Sequence, residues 1–188
     1  MAAHEFDVLI VGGGLSGLSA AIFTCRAGLK TVVFDKGEST IADVSRVNNY
    51  LGFPEGIPGE ELIARGRKQA ERFGAVLKML RVESLGRRED GSFVAVVEGG
   101  EAYRAPRVVI ASNKNTKAAT DLGLELTGLK SRFLHHDGSG RTAMKNAYVC
   151  GRLTEIASQS SISVGDGAAT AITLIRDLRG DYYIDHDE

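Results

Sequence analysis

The chain has 188 residues, 43% of them hydrophobic, enough for one ordinary domain with a substantial core. Lys and Arg number 23 against 24 Asp and Glu, so the net charge of -1 supplies no field to attract nucleic acid or an anionic membrane. The longest apolar runs, AAIF and VVIA, are far shorter than the ~20 residues that span a bilayer, and MAAHEFD does not read as a signal peptide. A cytoplasmic protein without nucleic-acid or membrane partners is expected.

Residues 6–11, FDVLIV, form an apolar β-branched run followed by glycines, the pattern of a strand buried on both faces of a parallel sheet. GGGLSG follows, then a helical spacing through Leu15, Leu18, Ile22 and Cys25, with Gly28 as its stop. TVVFD is a second buried strand ending in an acid, which completes a βαβ unit. Residues 37–57 are rich in Gly, Ser, Asn and Pro and read as a loop long enough to be functional. Pro58 opens a helix with Glu60 and Glu61 in its first turn, ending at Gly74.

The period then changes. VLKMLRVESLG, SFVAVVEG and EAYRA, separated by REDG and GG, predict an antiparallel meander. VVIAS at 108–112 returns to a buried strand, residues 113–146 carry no assignable pattern beyond LGLEL and RFLHH, and AYVCG is a last strand before a Ser-rich loop and the helix DGAATAITLIRDL.

Gly12, Gly14 and Gly17 form G-x-G-x-x-G between a strand and a helix, with Asp35 ending the next strand about 20 residues on. The first glycine allows the tight turn, the second removes a Cβ so that a pyrophosphate can reach the backbone, and the third lets helix and strand pack closely. Helix-start amides then bind phosphate without a basic side chain. Asp35 is placed to accept hydrogen bonds from a ribose 2′-hydroxyl, which favours FAD or NAD over NADP.

The choice between FAD and NAD rests on the rest of the chain. VLIVGGGLSGLSAA, NNYLGFPEGIPGEEL, VVIAS, and AYVCG followed by QSSISVGDGAATAI together resemble the FAD domain of low-molecular-weight thioredoxin reductases and related pyridine nucleotide-disulfide oxidoreductases. The resemblance spans residues 6 to about 112 and 146 to about 178. It implies an α/β, Rossmann-like FAD-binding fold of three layers, with a parallel sheet, helices on one face and an antiparallel β-meander on the other. Residues 1–188 then form a single domain, and 113–145 stand where such enzymes insert an NADPH domain with a redox-active CxxC. That segment holds neither a cysteine nor a second glycine motif.

Position by position, the resemblance implies Gly12, Gly14, Leu15 and Ser16 at the pyrophosphate, Asp35 and Lys36 at the adenosine ribose, and Asn49 near the flavin ring. Val82 would meet the adenine through its backbone, and Ala111 would lie beside the cofactor. Gly151, Gln159, Ser160 and Ser161 would reach the ribityl chain and isoalloxazine. The family's ribityl-binding Asp is replaced by Arg152, which cannot accept those hydrogen bonds. It either swings out or pairs with phosphate. The usual Thr-Gly after the preceding strand is Ser112-Asn113.

No catalytic constellation and no metal site emerges. Cys25 and Cys150 read as core residues, and His4, His135, His136 and His186 do not cluster as zinc ligands. Tyr50 and Phe53 would either shield the flavin or pack against their own loop. Three functions follow: a pared-down FAD-dependent oxidoreductase with an external electron donor and acceptor, a non-catalytic FAD-binding sensor or module, and an NAD-binding domain of another kind. The family pairs through its FAD domains, so a homodimer is expected.

Overall fold

A computed structural model describes residues 3–184; His186 lies outside them. The central sheet has five parallel strands in the order β11-β8-β2-β3-β4: β2 (Val8–Val11), β3 (Thr31–Phe34), β4 (Val76–Lys78), β8 (Arg107–Ile110) and β11 (Ala147–Val149). Every residue of β2 and β3 is buried, as a sheet covered on both faces demands.

Strand alternation divides the core in two. Leu9, Val11, Val32, Phe34, Val108 and Ile110 face a meander of β5 (Val82–Arg87), β6 (Phe93–Val97) and β7 (Ala102–Ala105), extended at its edge by β1 (His4–Glu5). Val8, Ile10, Val33 and Val109 face α1 (Leu15–Arg26), α2 (Gly59–Arg72) and α4 (Ser160–Arg179). The expected three layers are present.

The structure corrects two expected elements. VLK does not open the meander: Val76, Leu77 and Lys78 pair in parallel with Val32, Val33 and Phe34 as the edge of the central sheet. As an edge strand it is partly exposed, so its pattern imitates a half-buried antiparallel strand. The last helix begins at Ser160 rather than at Asp166. Serines and glycines are poor interior helix formers, and they hid its first turns. Those small residues serve packing, since a Cβ on Gly167 would overlap the Ser16 backbone and Ser19 Oγ donates to the Val164 carbonyl (2.8 Å).

Residues 113–145, unassignable from sequence, form α3 (Lys117–Asp121) and a short hairpin of β9 (Leu126–Thr127) and β10 (Phe133–Leu134). Leu122, Leu124 and Leu134 are buried in the meander-side core, and Asp121 accepts the Leu85 N–H (3.1 Å), tying α3 to β5. No helix among the described residues is long and apolar enough to cross a membrane.

Candidate functional site: a dinucleotide cleft

The carboxyl ends of β2, β3 and β8 open into a cleft of about 760 Å³. In open α/β sheets ligands gather at such strand ends. At its base the Gly12 N–H donates to the Phe34 carbonyl (2.9 Å) and the Ala111 N–H to Val11 (2.8 Å), so the turn after β2 is tied to both neighbouring strands.

The glycines divide the work. Gly12 has φ +116°, and a Cβ there would overlap the Ala111 carbonyl; a Cβ on Gly17 would overlap the Gly12 carbonyl. Both are needed by the protein's own packing. Gly14 differs: it has an ordinary extended backbone (φ -75°, ψ -174°), and its missing Cβ would meet nothing closer than Ser39 Oγ at 3.7 Å. Its smallness leaves space in the cleft at the first turn of α1, which carries no acidic residue. That is the cradle a pyrophosphate requires. Gly13 also proves necessary, because a Cβ there would sit 2.5 Å from Asp35 Cβ.

Of the anticipated residues, Gly12, Gly14, Leu15, Ser16, Asp35, Lys36, Asn49, Val82, Ala111, Arg152, Gln159 and Ser160 all line this one cleft. Gly17, Gly151 and Ser161 do not. Gly17 is behind the turn, and Gly151 packs so closely on Ser16 that a Cβ would overlap its Oγ. Ser161 is exposed on the first turn of α4. Residues as far apart in the chain as Gly12 and Ser160 therefore share one cavity.

Asp35 is buried and held from two sides, accepting from Arg67 Nη2 (2.8 Å) and from the Gly37 N–H (2.9 Å). Arg67, on α2, was not singled out from the sequence; only its position on the helix face toward β3 could have indicated it. Beside Asp35, Lys36 and Arg81 both pair with Glu38. Across the mouth, Asn49 Nδ2 donates to Gln159 Oε1 (2.8 Å).

Asn113, read from the sequence only as a departure from the usual Thr-Gly, lines the cleft with φ +58° and a buried Oδ1 that has no hydrogen-bond partner among the described residues. Asparagine tolerates this left-handed conformation better than most residues, which explains its presence where the family places glycine. An orphaned buried acceptor costs stability unless a ligand donor satisfies it. The cradle at Gly14 and this free acceptor fit a bound dinucleotide.

Neither cysteine enters the cleft. Cys150 is fully buried and its thiol is pushed up to about 12, chiefly by burial and then by Asp166; burial also raises the half-buried Cys25. Tyr50 and Phe53 pack on each other (centroids 5.9 Å apart) and on Val47, Ile57 and Leu62, outside the cleft lining. They pack into the loop's own small core.

Residues 7–43, which hold the glycine turn and Asp35, match the family model described as FAD binding domain. The chain is 34% identical over 157 residues to the thioredoxin reductase of Mycolicibacterium smegmatis, covering 75% of this chain and 50% of that protein. To the thioredoxin reductase of Treponema pallidum (strain Nichols) it is 37% identical over 112 residues, or 57% of this chain and 35% of the relative. The chain is similar to the thioredoxin reductase-like FAD-binding oxidoreductases.

This similarity implies FAD as the cofactor. The chain spans half the length or less of these two curated relatives. In fold it is similar to a thioredoxin reductase from Gloeobacter violaceus (TM-score 0.85, 16% identity, 100% of this chain and 99% of that one). The T. acidophilum thioredoxin reductase gives a TM-score of 0.83 at 17% identity, over 94% of this chain and 99% of that one.

Proposed function

We propose that this thioredoxin reductase-like domain is an FAD-dependent oxidoreductase that exchanges electrons with separate partners instead of carrying its own NADPH domain. Bound FAD supplies the electron-transfer chemistry, and the chain supplies binding, orientation and electrostatics. The Gly14 turn and the α1 amides hold the phosphates, Asp35 accepts from the adenosine ribose, and the Val82 backbone meets the adenine. Asn49 and Gln159 flank the ring system, and Ala111 and Ser160 complete the walls.

The observation carrying this reading is the folding of residues 113–145 into the core. Leu122, Leu124 and Leu134 are buried against the meander, which supports reading the segment as part of this domain. The donor and acceptor are accordingly expected as separate species. A second reading, an FAD-binding redox sensor without turnover, draws on Arg152, whose charge departs from the ribityl-binding acid of the family.

We also propose that two copies pair, with exposed apolar side chains such as Leu51 and Leu129 as surface a second copy would cover. Sedimentation at several concentrations tests this.

The functional test is anaerobic addition of NADPH or NADH to the FAD-loaded protein while the flavin band is followed. Slow or no bleaching, with fast bleaching by a protein or quinol donor, supports the first reading. Rapid bleaching by a nicotinamide alone contradicts the need for a separate donor domain. A flavin that no donor reduces at a useful rate supports the sensor.

A further inference from the structure

We infer that Arg152 is a binding residue for the cofactor's pyrophosphate, replacing an acid-to-ribityl contact with a cation-to-phosphate contact; this rests on the FAD reading above. Arg152 is half-buried, lines the cleft, and stands on the 3₁₀ turn Gly151–Thr154. Its backbone is anchored at the phosphate turn, because Gly151 (φ +75°) lies directly on Ser16 in the first turn of α1 and its N–H donates to Asp166 Oδ2 (2.6 Å). One residue on, the Arg152 backbone therefore stands close to the turn whose amides are expected to receive phosphate.

Charge balance supports the same assignment. Lys36 and Arg81 both face Glu38, Asp35 is paired with Arg67, and Arg46 donates to the Glu55 carbonyl (2.6 Å). The Arg152 guanidinium has no carboxylate or hydrogen-bond acceptor among the described residues. A guanidinium without a partner in the protein is free to take one, and its planar donors match phosphate oxygens in a bidentate fork. The ribityl hydroxyls would gain no acceptor from it. The diphosphate supplies the missing anion, and flavin binding becomes dependent on phosphate and on salt.

The test compares wild type with Arg152→Met, Arg152→Lys and Arg152→Asp, titrating FAD at low and high salt and competing with ADP and with adenosine. Circular dichroism melts verify folding of each variant. Arg152→Met should weaken FAD and ADP together by roughly 10- to 100-fold, the scale of a lost charge-assisted hydrogen-bond pair, and leave adenosine unchanged. It should also flatten the salt dependence. Arg152→Lys should retain part of the affinity, and Arg152→Asp should be weakest.

Tighter FAD binding by Arg152→Asp, or equal FAD and ADP affinity in wild type and Arg152→Met, overturns the assignment while leaving the FAD reading intact. Wild-type protein that takes up neither FAD nor ADP removes both.

Discussion

Asn49 Nδ2 donates to Gln159 Oε1 at 2.8 Å, joining two side chains 110 residues apart across the mouth of the cleft. Asn49 stands in the loop before α2 and Gln159 caps the backbone start of α4, so this bond connects the two halves of the site. Both residues are exposed, and the bond contributes little to stability. Its value lies in fixing where two amides stand when a flavin enters.

Asn49→Ala and Gln159→Ala should therefore leave the melting temperature nearly unchanged and each weaken FAD by roughly 3- to 10-fold, the scale of one lost hydrogen bond. The double variant should lose less than the product of the single losses, since the two share a partner. Full additivity in the titrations would show that the amides act independently.

The glycines predict a clean separation of binding from folding. Gly14→Ala places its Cβ in open cleft at an allowed backbone conformation, so stability should change by less than about 0.5 kcal/mol while FAD affinity falls at least tenfold. Gly17→Ala drives a Cβ into the Gly12 carbonyl and should cost about 2–4 kcal/mol in urea unfolding. Equal effects of the two on stability would contradict the division of roles.

Much of this site was legible before the structure. G-x-G-x-x-G bracketed by strands, with Asp35 beyond, located the turn because backbone chemistry leaves a fixed spacing in sequence. Val82, Asn49 and Gln159 came only through family resemblance, as their types and spacings carry no intrinsic signal. Arg67 and Asp166 were not legible at all: each acts by packing a distant element onto the site, Arg67 on Asp35 and Asp166 on the Gly151 N–H. Local periodicity also failed at β4, where an exposed edge gave a parallel strand the alternation of a hairpin, and at the start of α4, where helix-poor serines and glycines are retained for contact with α1.

Leu134→Ala tests whether residues 113–145 belong to the domain. Leu134 is 2% exposed in the core beneath the meander. Its truncation should cost about 2–5 kcal/mol, as for other buried leucines. Loss of less than about 0.5 kcal/mol in chemical denaturation would mean that the hairpin is an independent appendage.

Two carboxylates predict opposite pH responses. Asp177 accepts two hydrogen bonds from Arg141 (both 2.8 Å) and one from the Tyr148 hydroxyl (2.9 Å), and the Arg141 bonds hold its carboxyl below the usual range. Its stabilisation is present above the unfolded carboxyl pKa of about 4 and is lost as pH falls through the lower folded value. Asp177→Asn should thus destabilise by about 1 kcal/mol at neutral pH, a deficit that shrinks in acid.

Asp166 runs the other way. Burial pushes its carboxyl up, against the opposing Gly151 N–H bond, so the protonated form is favoured in the fold. Its contribution is fully present below the unfolded pKa and is lost as pH rises through the folded value. Relative to wild type, Asp166→Asn should gain melting temperature as pH rises from about 4 to neutrality, opposite in slope to Asp177→Asn. Parallel slopes in the two series would contradict these assignments.

The most direct test of the central claim is the visible spectrum of the purified protein after incubation with FAD and removal of the free cofactor. A retained flavin band near ~450 nm at one FAD per chain, abolished in Gly14→Ala while that variant stays folded, is the predicted result. A colourless protein that retains no FAD, or a flavin band that Gly14→Ala leaves undiminished, would contradict FAD binding in this cleft.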